Sequence, residues 1–477
     1  MLSLKNDAPH NLVLSIAQSF IPARVLILFS EMASQRLFAP KDFFSLDEMA
    51  KTLNVNPDAL KRFLRLLIAY NILNEENGRY SLTTPSQELK SIGSLALSKK
   101  YQKLNLIFNS HRLHKKFTPQ ELTVLIHYLD EFQEAKQRGS VAVKVAYDFV
   151  MARLIIHLAE LGFESHVGQR FITPHGLSEK LNFPVELFEK CIPILAQYQI
   201  IELSSDHLVR STPLSDSLPW VLSPHIMDSY HLFDSVDHTL RSNDASWPKV
   251  YGYNFYEYLN HYPEKLTMFK NWCAVSAIGW LEAVLLWCRF PKCTCLVDIG
   301  GGAGVFLKRV LEINPVTKGI LFEQPSIIQN IDPRLFSDFA ERIELTAGDF
   351  FNDKTIPKNG DIYVICRTLL NWSNEDVIRI LNNCRKAMSP GAKLIIIDFI
   401  IPNHNHLRYQ RAVLNDISLF TILNSAIRTK EEWEHIISKT TLKIVRFKIT
   451  EDNELPVQYI PYYSMCFIEL SPEIDAT

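Results

Sequence analysis

From about Cys293 onward the chain alternates short apolar runs with polar stretches of helix length. The runs are TCLVDIG, KGILFEQP, IELTAGDF, DIYVICRT and AKLIIIDFII, set ten or more residues apart. Strands spaced so widely are not hairpin partners, because a two-residue turn would join those; they are joined by crossover helices and pair in parallel. The pattern therefore specifies an α/β, doubly wound sheet. The last two apolar runs, LKIVRFKIT and VQYIPYYSMCFIEL, have no room between them for a helix, so one of them runs antiparallel. In such sheets ligands bind beyond the carboxyl ends of the strands.

At the first of those ends stands DIGGGAG, Asp298 to Gly304. Glycines at 300, 302 and 304 permit a tight turn and a close approach to the helix that begins at VFLKRVLE. A dinucleotide fingerprint would need glycine at 305, where Val305 stands. A carboxylate two residues before the first glycine suits an amine or a cation better than a pyrophosphate. The second strand ends in Glu323, at the distance from the loop where an acid chelates ribose hydroxyls, and the third ends in Gly348-Asp349-Phe350. Any one of these acids could be a helix cap. Three at successive strand ends describe a site of the S-adenosylmethionine type.

With FEQP, GDFF and LLNWSNEDVIRILNNCRKAMSPGAKLIIIDFIIP added, the chain resembles the S-adenosylmethionine-dependent O-methyltransferases of the plant caffeate and bacterial polyketide type. The segment WPKVYGYNFYEYLNHYPEKLTMF resembles the helical connector that this family places between a winged-helix dimerisation domain and a class I, Rossmann-like methyltransferase domain. The resemblance implies that Asp298, Gly300 and Gly302 form the cofactor loop, that Glu323 holds the ribose, and that Asp349 and Phe350 flank the adenine. Arg367 falls near the cofactor's methionine carboxylate or the acceptor. The plant-type enzymes read His-Asp-Trp at the turn after the fourth strand, and their His removes the acceptor's proton; this chain has Leu370, Asn371 and Trp372. The family's supporting acid is present as Asp398, while its second acid is replaced by Ile427 ahead of Arg428-Thr429. The implied catalytic set is thus Asp398, Arg367, Asn371 and Leu370. Candidates for the acceptor pocket are Phe255, Tyr256, Met268 and Trp272 of the connector, with Asn415, Phe420 and Asn424 of the segment LNDISLFTILNS.

Loss of the His narrows the acceptor. A phenol with pKa about 10 costs about 4 kcal/mol to ionise at pH 7, and alignment of the reacting atoms can contribute about 7 to 11 kcal/mol. An aliphatic alcohol would need about 12 kcal/mol. The expected reaction is therefore O-methylation of a phenol, enol or carboxylate on a small aromatic or polyketide-like molecule. The Leu-Asn-Trp turn resembles the anthracycline-tailoring branch, some of whose members hydroxylate or decarboxylate instead. A non-catalytic, cofactor-binding regulator is a further alternative, against which the complete acid set stands.

The N-terminal half contains a duplication. LNVNPDALKRFLRLLIAYNIL from Leu53 matches LNFPVELFEKCIPILAQYQII from Leu181 at an offset of 128, and the same offset carries Thr84-Pro85 onto Thr212-Pro213. Each copy pairs an amphipathic helix, with Leu60, Leu64 and Leu67 on one face of the first and a Pro at its entry, with a polar hairpin, turned at Asn77-Gly78 in the first. FSLDEMAKTL supplies a preceding helix whose Ser45 and Glu48 form a capping box. This is the winged-helix pattern. We expect winged-helix modules at 1–110 and 111–225, a connector at 226–290 and the cofactor-binding domain at 291–477. NLVLSIAQSFIPARVLILFSEMA and SVAVKVAYDFVMARLIIHLAELG are too apolar for water, so they are expected to pack on another subunit, as in a homodimer, or on the next domain.

A winged helix can bind DNA, but while the second helix of the first copy carries Lys61, Arg62 and Arg65, its counterpart in the second copy carries Glu186 and Glu189, and the net charge is −2. Neither nucleic acid nor membrane is an expected partner. Eight cysteines without regular spacing read as reduced thiols, and His404 and His406 lack a third ligand, so no metal is expected. No basic leader precedes an uninterrupted apolar run, which makes a cytoplasmic location the expectation.

Overall fold

The structure is a computed structural model that describes residues 9–33, 43–83, 94–112, 116–270, 273, 281, 284, 285, 291, 293–450 and 464–473. The chain divides into two units, one of residues up to 272 with 417–423, the other of 273–416 with 424–477.

In the first unit one series of elements is built twice. Helices α1 (Pro9–Ala17) and α2 (Phe20–Ala33) are followed by strand β1 (Phe44–Ser45), helices α3 (Leu46–Leu53) and α4 (Pro57–Ala69), the hairpin β2 (Leu73–Glu76) and β3 (Arg79–Leu82), and helix α5 (Ser94–Arg112). After α6 (Pro119–Arg138) come α7 (Val141–Ala146), α8 (Asp148–Glu160), α9 (Pro174–Leu181), α10 (Val185–Gln197), the hairpin β4 (Ile201–Leu203) and β5 (Val209–Ser211), then α11 (Pro224–Leu232) and α12 (Val236–Ser242).

Local chemistry repeats with the elements. Ser45 caps α3 through the expected capping box, its own N–H bonded to Glu48 at 2.7 Å, and Thr173 caps α9 in the matching place. Asn54 and Asn182, at φ 54° and 49°, make the left-handed turn between the two helices of each copy, a conformation asparagine tolerates. β1 joins the first wing through Phe44 and Tyr80, and Ile172 bridges Val209 at the corresponding position of the second. Pro57 opens α4, whereas Pro184 stands one step earlier, at the cap of α10.

One expectation is corrected. Thr212 does not correspond to Thr84: its hydroxyl donates to the carbonyls of Gln199 and Ile200 as that of Thr83 does to Asn71 and Ile72. Leu73 pairs with Leu82 in the first hairpin and Ile201 with Ser211 in the second, so the second is one residue longer and the offset becomes 129 beyond it. The apolar helices pack on the neighbouring module, the second of the two alternatives expected for them. α2 lies against α5 and α8 inside the unit, and 83% of an 18-residue apolar window within Leu12–Met32 is buried there. On α4, Arg62 holds its guanidinium 3.7 Å over the ring of Phe420.

The second unit carries strands β6 (Cys295–Ile299), β7 (Lys318–Glu323), β8 (Ile343–Ala347), β9 (Ile362–Cys366), β10 (Lys393–Ile401), β11 (Arg428–Thr429), β12 (Leu442–Ile449) and β13 (Met465–Pro472). Their order across the sheet is β8-β7-β6-β9-β10-β13-β12, with β11 pairing beside β10. β6 to β10 are mutually parallel, and β13 runs antiparallel to both β10 and β12, as the short final connection requires. Chain order reverses between β6 and β9, which opens a crevice at their carboxyl ends. Helices α13 (Val305–Ile313), α14 (Asn374–Ala387), α15 (Tyr409–Leu423) and α16 (Lys430–Ile437) accompany these strands, and α15 runs from one unit into the other. Val377, Ile380, Leu381 and Cys384 of α14 pack on Tyr363, Ile365 and Ile396 of the sheet. The central strands β6, β9 and β10 are almost wholly buried because both faces are covered, whereas the edge strands β8 and β12 alternate buried or half-buried with exposed residues.

Candidate active site

The loop after β6 makes a cradle from backbone. Gly300, Gly302 and Gly304 take φ of 68°, 57° and 79°, values that side-chain-bearing residues seldom adopt. A Cβ on Gly300 would lie 3.0 Å from the Thr368 methyl, so that residue is required for the fit between the loop and β9's exit as well. The Gly302 N–H donates to Glu323 at 3.1 Å, and the Gln324 N–H donates to the same carboxylate at 2.7 Å. Loop and second strand end are thereby tied, and Glu323 stays half-exposed above them.

Asp298 lies under the loop, fully buried, and among the described residues neither of its carboxylate oxygens has a donor in full hydrogen-bond geometry, the Leu307 N–H being the backbone group that acts on it. Burial, then the neighbouring Glu323 charge, pushes its carboxyl up to about 7, against the weaker pull of the Leu307 N–H. An uncompensated acid at the mouth of an α/β crevice is costly, and a cationic ligand would relieve it. At the third strand end, Asp349 accepts the Phe351 N–H at 2.8 Å while Phe350, Phe351 and Trp372 pack edge to face with ring centroids 4.8 to 5.5 Å apart. Asn383 pins the Phe350 carbonyl at 3.0 Å. A buried acid that lacks a cation, a glycine cradle, a half-exposed Glu323 and an aromatic wall together fit S-adenosylmethionine.

The turn after β9 is held by residues distant in sequence. Ile397 pairs with Cys366, which leaves Asp398 one step beyond the end of β9. There its Oδ2 accepts the Leu370 N–H at 2.9 Å and its Oδ1 the Phe399 N–H at 2.8 Å. Burial pushes this carboxyl up to about 7, against the pull of those N–H groups, Arg428 and Arg367. The Leu370 carbonyl accepts from the Ala426 N–H at 3.1 Å, so its side chain is held in place, buried, where the plant-type enzymes carry His. Arg428, buried, donates to the carbonyls of Leu369 (3.1 Å) and Trp372 (2.7 Å) and to Asn374 Oδ1 (2.9 Å). Sequence reasoning used Arg428 only as a marker for the missing acid at Ile427; its role as the clamp of the turn depends on tertiary packing. At the missing acid's position, the Ile427 N–H instead donates to the buried Asp416 at 2.9 Å.

Arg367 has φ of 54°, a conformation that costs a non-glycine residue about 1 kcal/mol or more, and its guanidinium lies 4.9 Å over the Phe399 ring. Asn371 is half-buried beside Leu370. The structure thus brings Asp298, Gly300, Gly302, Glu323, Asp349, Phe350, Arg367, Leu370, Asn371 and Asp398 to the carboxyl edge of one sheet.

The acceptor candidates fall in both units. In the first unit Phe255 is buried among Trp247, Tyr258 and Phe269, Tyr256 is exposed, Met268 is half-buried and Phe420 lies under Arg62. In the second, Asn415 is buried and Asn424, exposed at φ 54°, takes a left-handed turn. Trp272 lies outside the described residues. The His406 Nδ1 accepts the Arg408 N–H at 3.1 Å, and among the described residues no cluster of His, Cys, Asp or Glu could hold a metal ion.

Residues 229–442 match the family model described as an O-methyltransferase domain. The chain is 24% identical over 317 residues to a phenazine O-methyltransferase of Lysobacter antibioticus, covering 65% of this chain and 92% of that one. It is 28% identical over 305 residues to a mitomycin biosynthesis 6-O-methyltransferase of Streptomyces lavendulae, covering 61% and 85%. Among solved structures, an O-methyltransferase from neocarzinostatin biosynthesis, in complex with S-adenosylmethionine and 2-hydroxy-5-methyl naphthoic acid, shares the fold. Its TM-score is 0.52 at 17% identity, over 67% of this chain and 94% of that one.

Proposed function

We propose that the chain, whose residues 229–442 match an O-methyltransferase domain, moves a methyl group from S-adenosylmethionine to an acidic oxygen of a small aromatic molecule without a general base. The buried, unpartnered Asp298 under a glycine cradle is the observation that carries the cofactor reading. When bound, the cofactor supplies an electrophilic methyl group on a cationic sulfur.

The chain's own residues do the rest. Asp298 offers a carboxylate to a cationic group, Glu323 offers one to hydroxyls, and Phe350 offers a ring face beside Asp349. Arg367 adds a positive charge at the exit of β9, suited to an anionic acceptor oxygen or to the methionine carboxylate. Leu370 presents no proton acceptor. Asp398 faces the turn's backbone and acts through it as a positioning residue. With positioning worth about 7 to 11 kcal/mol and phenol ionisation costing about 4 kcal/mol at pH 7, the balance favours a phenol, enol or carboxylate. The relatives named for phenazine and mitomycin chemistry support an aromatic acceptor. Phe255, Tyr256, Met268, Trp272, Asn415, Phe420 and Asn424 are proposed to line its pocket.

The same reading divides the chain into modules 1–110 and 111–225, a connector 226–290 and a catalytic domain 291–477, and places the protein in the cytoplasm. The homodimer implied by the resemblance would need a face outside α2 and α8, which already cover each other.

Incubation with methyl-labelled S-adenosylmethionine and a panel of hydroxylated aromatics tests the reaction. Label in an aryl ether supports it. The apolar Leu370 also favours a second reading, a cofactor-dependent reaction without methyl transfer; cofactor that binds while its label never moves, as the acceptor is altered, would select that one.

A further inference from the structure

The two copies in the first unit face each other. At an offset of 129 residues Phe20, Arg24 and Glu31 of α2 fall on Phe149, Arg153 and Glu160 of α8, and Tyr101 of α5 falls on Tyr230 of α11, so the second copy includes α11 and α12 at the start of the connector. Within each copy the same pairs form. Arg24 meets Glu31 at 3.8 Å and lies 5.7 Å over Tyr101, while Arg153 meets Glu160 at 3.7 Å and lies 5.8 Å over Tyr230. Between copies the contacts are reciprocal. Phe20 packs on Tyr230 with centroids 4.9 Å apart, and Phe149 packs on Tyr101 at 5.5 Å. Tyr101 and Tyr230 stack on each other at 4.8 Å, 11° from parallel, and the Tyr101 hydroxyl donates to the Tyr230 carbonyl.

Reciprocity of this kind, in which residue i of one copy touches j of the other and j touches i, is the signature of a two-fold interface between identical subunits. Here both sides belong to one chain. We propose that the duplicated modules form an internal pseudo-dimer, each covering the face that the other would present to a second copy of the chain, so that the chain is a monomer.

Burial shows why a single module would be incomplete. Every residue from Phe20 to Phe29 of α2 and from Phe149 to Ala159 of α8 is buried. A helix buried all round needs neighbours on every side. For α2 these are α5 of its own copy and α8 of the other. Arg24 and Arg153, 5% and 2% exposed, sit inside this contact with their glutamates, so parting the copies would strip two buried ion pairs of their packing. The copies are joined elsewhere too: the Asn56 N–H donates to the Leu240 carbonyl and Arg241 to the Asn54 carbonyl, each at 3.1 Å.

Sedimentation of the full chain from low micromolar concentration to about 100 µM, with melting scans at both ends, tests this. The expected result is one 54.9 kDa species with a midpoint independent of concentration. A species of twice that mass, or a midpoint that rises with protein concentration, would overturn it. Phe20→Ala and Phe149→Ala, made separately in the full chain, are expected to lower the midpoint by similar amounts because they vacate equivalent places. A large shift from one with none from the other would contradict the reciprocal interface.

Discussion

Replacing Asp298 by Asn is expected to stabilise the free protein while weakening its grip on the cofactor. The carboxyl is raised from an ordinary 3.8 to about 7, first by burial and then by Glu323. An acid whose folded pKa exceeds its unfolded one contributes stability below about pH 4 and loses it as pH climbs to about 7, because the folded state then holds a charge it solvates poorly. A rise of that size is worth about 4 kcal/mol at most. The amide stays neutral, so the advantage of Asp298→Asn is near zero at pH 4 and approaches about 2 to 4 kcal/mol at pH 8. Each kcal/mol moves the melting midpoint of a domain of this size by about 2 to 4 °C. A cation bound beside Asp298 draws the carboxyl down again, so wild-type affinity for S-adenosylmethionine should fall up to about tenfold per unit as pH drops below about 7, while the variant binds weakly at every pH. Melting scans at pH 4 and pH 8, with calorimetric titration of the cofactor, read both effects. An Asp298→Asn variant that melts lower than wild type at pH 8, or binds the cofactor with wild-type affinity, would refute the assignment of Asp298 as the cation's partner.

The turn after β9 gives three further expectations. Arg428→Leu orphans the carbonyls of Leu369 and Trp372 and is expected to cost about 3 to 5 kcal/mol in denaturant unfolding, with Arg428→Lys failing to restore it because one ammonium cannot span the fork. Asp398→Asn leaves one acceptor oxygen for two N–H groups; it should lose about 1 to 3 kcal/mol of stability and reduce kcat at an unchanged cofactor Kd. In the wild type, protonation of Asp398 below about 7 has the same effect, so kcat at saturating cofactor should fall with pH through that value, and the variant should lack this limb. Leu370→His is expected to keep methyl transfer to an acidic phenol within about tenfold, since no group at that position takes a proton in the present chain; complete loss in steady-state assay would count against the proximity mechanism.

Much of the second unit is legible in sequence because its determinants are local. Strand period, the glycine loop and an acid at each strand end lie within a few residues of one another, and the structure sets them at one sheet edge. The winged helices announce themselves through Ser45 with Glu48 and through Asn77-Gly78 for the same reason. What sequence missed is long-range. Arg428 acts on a turn more than fifty residues earlier in the chain, and nothing beside it in sequence says so. The repeat was seen where identities cluster, at Leu53 and Leu181, but the paired Arg24 and Arg153, with their partners Glu31 and Glu160, lie outside that window. They stand at an offset of 129, which falls to 128 at Leu53 and Leu181 and returns to 129 beyond the hairpin, so no single offset runs through the repeat. Phe255 shows the limit for pockets: a buried aromatic of the connector packs on Trp247 and Phe269, and sequence cannot separate such a side chain from one that lines a cavity.

The central claim is that an S-adenosylmethionine-dependent methyl transfer proceeds here without a protein base. It is tested most directly by kcat/KM for a series of phenols of similar shape but graded acidity, measured at fixed pH. If ionisation of the acceptor is left to the acceptor itself, kcat/KM should rise steadily as phenol pKa falls from about 10 toward 7, each unit being worth up to about tenfold. Rates indifferent to acceptor acidity would mean that a base in the protein removes the proton, and would contradict the claim.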